Sequence, residues 1–587
     1  MLKNQIDNGV ISLYHPTATS IALIVYSKDG SKKKRFPMNK SGEIWETTVI
    51  KENIPFIYAF EIDKSHIVAD PYATEVVKTK DWKSPIVLPL LSKYDPEVLE
   101  KKQKPLIPKQ ELIIYEMHTR GFTNDPSSKV SNPGTFLGII EKVDYLLELG
   151  INAIELLPSF LFDETDNPNK DPEGNALINF WGYSPINFFS PHPSYGTRKE
   201  FNQMVNALHD NGIEIILDVV FNHTGESEKH PNIHFTSIDR ENYYLIKDGN
   251  NCNFSGCGNT FNCRSEIGQK MVIDSLIYWS NEMHVDGFRF DLASCLTRGL
   301  DEQTYDDLLV KIQNHPQLKD VKLIAEPWDC AGRYQLGYFK QYGFSEWNDQ
   351  YRDAVRRFIN NIDPSKEAFK RALLGTPDLF TPSQTVNFIT AHDGFTLIDL
   401  LSYKDKHNEE NGENSRDGAN ENLSNNYGAE GPTDDLAIRS LRIKQCKNFL
   451  FTLFLSKGIP MLLMGDEYGH SKEGNNNTYC LDNQKNYFLW DEMNQEIFSF
   501  VKKLIKLRKT FSKELVNPEE IQIDSDKAVV LLFNKQYLLA FNQTKDPLNI
   551  PIDGLFEVLI NTEQNSHTKP TSLALSPFSS LFAKKLP

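Results

Sequence analysis

The sequence predicts a multidomain α/β protein, with a central (β/α)8 TIM barrel between an N-terminal β-sandwich and a small C-terminal β domain. Three observations carry this reading. Through the middle of the chain, apolar runs of strand length alternate with helical stripes, the pattern of parallel βαβ units. Both flanks lack that alternation and read as short strands between polar turns. The length, 587 residues, admits two to four domains, and a barrel of about 250 residues or more counts as one of them.

The expected domains are 1–105, 106–510 and 511–587. In the first, ISLYHP, SIALIVY and IWETTVI are short apolar stretches bounded by Gly, Ser, Asn and Pro. Residues 92–109, charged and proline-bearing, read as a linker. The barrel opens with LIIYEM (112–117) as a buried strand. Over 137–149, apolar residues at 139, 140, 143, 146 and 147 make one helical stripe, and Gly150 stands where a C′ glycine belongs. INAIELLP follows as a strand. Phe201, Met204, Val205 and Leu208 mark the next helix, closed by Gly212, and IEIILDVVF is the third strand. GFRFD, LIAEP, VNFITAHD and PMLLMGDE supply four more, and a weakly marked strand near 343–347 brings the count to eight. A long helix precedes the last strand, with Thr433 as its expected N-cap and Gly458 as its stop. Beyond Phe511, IQID, AVVLLFN, QYLLAFNQ, FEVLIN and SLALSP read as the strands of the C-terminal domain.

Composition narrows the partners. Hydrophobic residues make up 40% and charged residues 24%, ordinary for a globular chain and far from disorder. The formal net charge of −16 argues against nucleic acid as the main partner and leaves a neutral ligand such as a sugar open. There is no apolar run of about 18 residues to span a membrane and no signal-like N-terminus. Seven cysteines, an odd number, suggest reduced thiols and a cytoplasmic location. Cys252, Cys257 and Cys263 are spaced x4 and x5 with no fourth ligand beside them, so packed or loop thiols are expected rather than a metal site.

Barrel enzymes carry their chemistry at the C-terminal ends of the strands. There the third strand leaves Asp218, Asn222 and His223, the fourth Arg289 and Asp291, the fifth Glu326, and the seventh His392 and Asp393. Asp291 to Glu326 is 35 residues, about one βα unit, and Glu326 to Asp393 is 67, about two. Asp218 to Asp291 and Asp393 to Asp466 are both 73 residues, which predicts long insertions overhanging the rim, one holding NFSGCGNTFNC and the other residues 406–431. Three carboxylates on one rim suit glycosidic cleavage, which needs a nucleophile and a protonated acid. Asp291 would pair with Arg289 as the nucleophile. Glu326, followed by Pro327 and Trp328, has the apolar surroundings that raise a carboxyl pKa, as an acid requires. Asp393 would bind ring hydroxyls and favour the distorted sugar, His223 and His392 would donate hydrogen bonds to those hydroxyls, and Tyr183 in FWGYSP offers a ring face. Taken singly, each such residue is more often structural. Their order and spacing together carry the reading.

The segments DVVFNHT, GFRFDLAS, LIAEPWD and FITAHDG resemble the four signature regions of the α-amylase superfamily, glycoside hydrolase family 13. NFWGYSPINFFSPHPSYG, NFSGCGNTFNC, NEMHVDGFRFDLAS, SEWNDQYRDAVRRFI and NNYGAEGPTDD resemble its isoamylase and glycogen-debranching branch, over roughly residues 113–490. The N-terminal domain resembles the glycogen-binding-like module that precedes such barrels. The resemblance implies Asp291 as nucleophile, Glu326 as general acid/base and Asp393 as transition-state stabiliser. It places Tyr183, Asp218, His223, Arg289 and His392 at the subsite of the cleaved glucose. The implied reaction is hydrolysis of α-1,6 branch points in glycogen- or amylopectin-like glucan with retention, without a cofactor. The aromatic motif reads N-F-W-G-Y-S-P, where pullulanases read Y-N-W-G-Y-N-P, which favours isoamylase-type specificity. Phe180 stands where the isoamylase-like motif more often has Tyr. Asn222 matches a calcium ligand of many amylases, an ion that the debranching branch often lacks, and no metal is assigned. Two other functions use the same frame: an α-1,4-acting amylase or branching enzyme, and a non-catalytic glucan-binding subunit, which typically loses a carboxylate. The sequence leaves branch-length preference, glycogen versus starch, and oligomeric state open.

Overall fold

The computed structural model describes residues 10–27, 33–48, 56–78, 87–91, 101–226, 235–301, 303–563 and 573–586. Its centre is a closed barrel of eight parallel strands. They are β1 (Ile114–Met117), β2 (Ala153–Leu156), β3 (Glu214–Val219), β4 (Gly287–Phe290), β5 (Lys322–Ala325), β6 (Ser345–Trp347), β7 (Thr385–Asn387) and β8 (Ile459–Leu463). β8 pairs in parallel with β1 and closes the ring. Ile114, Ala153, Ile216, Ile324, Trp347, Val386 and Met461 of its strands, all buried, pack into one apolar cluster.

The strands are shorter than the apolar runs that announced them. Of VNFITAHD (386–393) only Val386 and Asn387 pair in the sheet. Its remainder leaves the sheet as the loop carrying His392 and Asp393. The single helix expected over 137–149 is two, α1 (Phe136–Ile140) and α2 (Val143–Leu149). The Glu141 carboxylate at the break accepts the backbone N–H groups of Ser131 and Asn132, which ties the chain there to the preceding turn. α2 does end on Gly150 with φ +94°, a conformation open to glycine. The helix before β8, α3 (Leu436–Leu455), is capped by Asp435 rather than Thr433. The Asp435 carboxylate accepts the N–H groups of Ala437 and Ile438, while the Thr433 hydroxyl accepts that of Asp435. A carboxylate at that end also matches the helix dipole.

The N-terminal region is built of antiparallel strands, with Ile21–Tyr26 paired to Phe56–Ile62 at its centre. It touches the barrel through Tyr14, whose hydroxyl donates to Asp239 at 2.8 Å, and Tyr72, which donates to Asp274 at 3.1 Å. Of the expected linker, residues 92–100 lie outside the described residues. The C-terminal region is a five-stranded antiparallel sheet with a separate two-stranded ribbon. Ser580 bonds Asn448 of α3 at 2.8 Å and so seats that sheet on the barrel. Among the described residues no helix is long and apolar enough to cross a membrane.

Candidate active site

Arg289 organises the rim. Its side chain is 1% exposed, and its guanidinium lies 4.1 Å from the centroid of the Trp347 ring. Nη1 donates to Asp218 Oδ2 at 2.7 Å and to Asp291 Oδ1 at 3.2 Å. Nη2 lies 2.9 Å from Glu326 Oε2. One buried cation therefore holds three carboxylates from β3, β4 and β5. A guanidinium is suited to this because it stays charged and its donors form a fixed fork. The register accounts for part of it, since Asp218 and Arg289 are direct partners on β3 and β4.

Each carboxylate has a further, different donor. The Asn222 side-chain N–H donates to Asp291 Oδ2 at 2.7 Å and to the Asp291 carbonyl at 2.9 Å. The backbone N–H of Leu292 donates to Glu326 Oε2 at 2.7 Å. Leu292 takes φ +41° to do so. Tyr183 donates its hydroxyl to Asp218. Burial pushes the Glu326 carboxyl up, Arg289 pulls it back, and the charges of Asp291 and Asp393 push it up again, to about 8. Burial likewise lifts Asp218 to about 6 against the pull of Arg289. Asp393 stands exposed at the mouth.

His223 and His392 are placed differently from each other. His223 Nε2 lies 2.7 Å from the Tyr183 carbonyl and Nδ1 2.5 Å from Asn222 Oδ1. The Asn222 amide cannot be reversed, because its N–H groups serve Asp291. Both ring nitrogens of His223 thus face protein acceptors, and a charged imidazole satisfies both. Burial opposes the charge, but Cys257, Asp291 and the Tyr183 carbonyl outweigh it and push the ring up to about 9. The expected donation to a sugar hydroxyl is therefore not what the geometry gives His223, which clamps Tyr183 and Asn222 instead. His392 has Nδ1 against Glu116 at 2.7 Å and stacks on Tyr183 at 5.0 Å between ring centroids. Trp181 meets the same imidazole edge to face at 4.9 Å.

The aromatic motif needs its glycine. Gly182 has φ +88°, and a Cβ there would fall 2.6 Å from the Phe162 ring. Gly182→Ala is expected to displace Tyr183, to cost about 1–3 kcal/mol of stability, and to lower kcat/KM about tenfold. Thermal unfolding and steady-state kinetics on branched glucan check this, and an unchanged kcat/KM would mean that Tyr183 positioning is not limiting.

Both insertions reach the rim. Gly256 packs on Cys330, a Cβ at that glycine lying 3.3 Å from the Cys330 Cβ. In the second, Asn408 and Asn422 bond Asn476, each at 2.9 Å, and Asn476 in turn accepts the N–H of Gly394 beside Asp393. Of the three clustered cysteines, Cys252 and Cys263 are buried and Cys257 is exposed, and all are free thiols. Among the described residues no group of three His, Cys, Asp or Glu could hold a metal ion.

Four residues of this site escaped the sequence reading: Glu116, Glu155, Trp347 and Lys472. Glu116 and Glu155 are register partners on β1 and β2, both buried. An acid inside an otherwise apolar parallel strand, as in IYEM and AIEL, is the signal that would have found them. Lys472 lies in the polar loop after β8, where nothing local distinguishes it.

The model of the α-amylase catalytic domain matches residues 116–261, and that of carbohydrate-binding module 48, the isoamylase N-terminal domain, matches residues 2–73. Isoamylase SU1, chloroplastic, of Zea mays is 40% identical over 574 residues, covering 85% of this chain and 72% of that protein. The glycogen operon protein GlgX homolog of Haemophilus influenzae is 36% identical, covering 96% of this chain and 91% of that one. Among solved structures, the pullulanase from Bacillus acidopullulyticus superposes with a TM-score of 0.79 over 98% of this chain and 73% of that one. At 24% identity this last likeness speaks to the fold alone.

Proposed function

The chain belongs to the isoamylase and glycogen-debranching branch of the α-amylase family and hydrolyses α-1,6 branch linkages, and we propose that Asp291, Glu326 and Asp393 perform this by double displacement with retention. The observation that carries the proposal is the single Arg289 fork on Asp218, Asp291 and Glu326. It brings a carboxylate and a raised carboxyl onto one guanidinium.

In the first step Asp291 attacks the anomeric carbon of the branch glucose. Glu326 gives its proton to the departing O6 of the main-chain residue, and the C1–O6 bond breaks. The covalent glycosyl–Asp291 ester is then attacked by water, whose proton returns to Glu326, and the product leaves with its anomeric configuration retained. Asp393 holds ring hydroxyls of the flattened sugar. Tyr183 provides the face on which that sugar stacks, and Asp218 and Arg289 complete the floor. Branched α-glucan is the substrate class. A cytoplasmic setting is part of the reading, supported by the seven free cysteines.

The test is chain-length profiling. The protein is incubated with glycogen, phosphorylase limit dextrin, amylose and pullulan, and the released chains are resolved by length. Linear chains from the branched substrates with amylose intact are expected. Shortened amylose would make it an α-1,4 enzyme, and bound glycogen without release would make it a non-catalytic subunit.

A further inference from the structure

His392 faces the sugar position with one ring nitrogen and the protein with the other. Glu116, at the C-terminal end of β1 and 0% exposed, grips it at two points. Its Oε1 lies 2.7 Å from His392 Nδ1, and its Oε2 accepts the His392 backbone N–H at 2.8 Å. Glu116 is itself anchored, its carbonyl accepting the N–H of Met464 at 2.9 Å. From the other side, the buried Lys472 donates its ammonium to the His392 carbonyl at 3.0 Å, while its own N–H is held by Asp399 at 2.7 Å. The imidazole is walled by Tyr183 and Trp181. Nothing in the protein engages Nε2 among the described residues.

We propose that Glu116 is a positioning residue which, by fixing the proton on His392 Nδ1, makes Nε2 a hydrogen-bond donor to the bound sugar only when the imidazole is charged. The argument is one of counting protons. A carboxylate is acceptor-only, so the nitrogen facing it must carry the hydrogen. A neutral imidazole has a single N–H, and Nε2 is then bare. Protonation adds the second N–H and turns Nε2 from an acceptor into a charge-assisted donor, roughly twice as strong a partner for a hydroxyl. The groups facing the ring decide which form prevails. Burial lowers the imidazole pKa, Glu116 and Asp393 outweigh it, and Arg289 opposes them, leaving the ring above its ordinary value. Asp218 also feels the imidazole from β3. Lys472 meets it through the carbonyl, and the Tyr183 hydroxyl is committed to Asp218. Sugar affinity is thus strongest below the raised His392 value and weakens as pH rises through it.

This inference rests on the proposed catalytic reading, and its test separates the two. Glu326 also titrates in the alkaline range, so the measurement is made in Glu326→Gln, which removes that titration and keeps the glucan intact. Binding of maltotetraose to Glu326→Gln and to the Glu326→Gln/Glu116→Gln double variant is followed by calorimetry from pH 5 to 9. The glutamine carries no charge, and its carbonyl can accept from Nδ1 only by giving up the bond from the His392 backbone N–H. The double variant is expected to match the single variant at pH 5 and to bind several-fold more weakly above neutrality, because losing the Glu116 charge moves its transition to lower pH. Superimposable pH profiles would overturn the positioning role. If the Gln double variant does not fold, Glu116→Asp in the same background keeps the charge but retracts it by a methylene. A smaller shift in the same direction is then expected, and its absence counts equally against the role. Turnover by Glu326→Gln would instead remove Glu326 from the acid role and leave the His392 comparison standing. Absence of maltotetraose binding at every pH would overturn both.

Discussion

Asp291→Asn is expected to bind branched glucan and keep the fold while losing at least about 10³-fold in kcat. The amide has no charge with which to attack the anomeric carbon, and no other carboxylate of the site has its geometry. Glu326 is the raised, proton-bearing carboxyl that serves as the acid, Asp218 accepts the Tyr183 hydroxyl, and Asp393 stands at the mouth. Stability is expected to hold or to rise. Three carboxylates share one buried guanidinium, and the charge of Asp291 is among the causes that push both Asp218 and Glu326 up. Neutralising it relieves that crowding, the usual relation between an active site and the stability that it costs. Reducing-end release and scanning calorimetry on the same preparation check both halves. Substantial residual hydrolysis by folded protein would remove Asp291 from the nucleophile role.

Glu326→Gln is expected to cost about 10²–10⁴-fold in kcat on branched glucan, while on α-maltosyl fluoride, whose fluoride leaves without a proton, kcat/KM is largely spared and kcat stays low because the attacking water has lost its base. The wild-type rate is expected to fall as pH rises through about 8, where the raised Glu326 carboxyl gives up its proton. The glutamine variant has no such group, so this limb of kcat is lost, while the weakening of sugar affinity through His392 remains and is read in KM. Stability follows the same linkage. A carboxyl whose folded value lies above its unfolded 4.5 favours the fold most at low pH, and that contribution is lost as pH rises from there toward 8. The variant should therefore melt close to wild type at pH 4.5 and above it at pH 8. An alkaline limb unchanged by the substitution would assign the acid role elsewhere.

The site was legible to different depths. Asp291, Glu326, Asp218 and Arg289 could be read because each closes an apolar strand, and strand ends of a barrel share one rim. The Arg289 fork could be read only in part. Its two-residue offset from Asp291 is local, but its reach to Asp218 depends on the β3–β4 register and its reach to Glu326 on the β4–β5 pairing. His223 shows the limit. A histidine at a strand end looks the same whether it serves a ligand or a backbone carbonyl, and only the placement of Tyr183 and Asn222 on either side distinguished the two.

By itself, the sequence determined the barrel, the flanking β regions, the order of the carboxylates and the family to which they belong. The first three follow from periodicity, strand-end chemistry and spacing, and the family from the resemblance of its motif segments, all of them properties of neighbours along the chain. Only the tertiary structure decided where α1 and α2 part, which residue caps α3, that one arginine binds three acids, and that Glu116 and Lys472 grip His392 from opposite sides. Glu116 and His392 are 276 residues apart in sequence, yet their bond is 2.7 Å long. Such contacts exist because β1, the loop after β7 and the loop after β8 converge when the barrel closes. Their hydrogen bonds are strong because burial has removed the water that would otherwise compete for the same atoms.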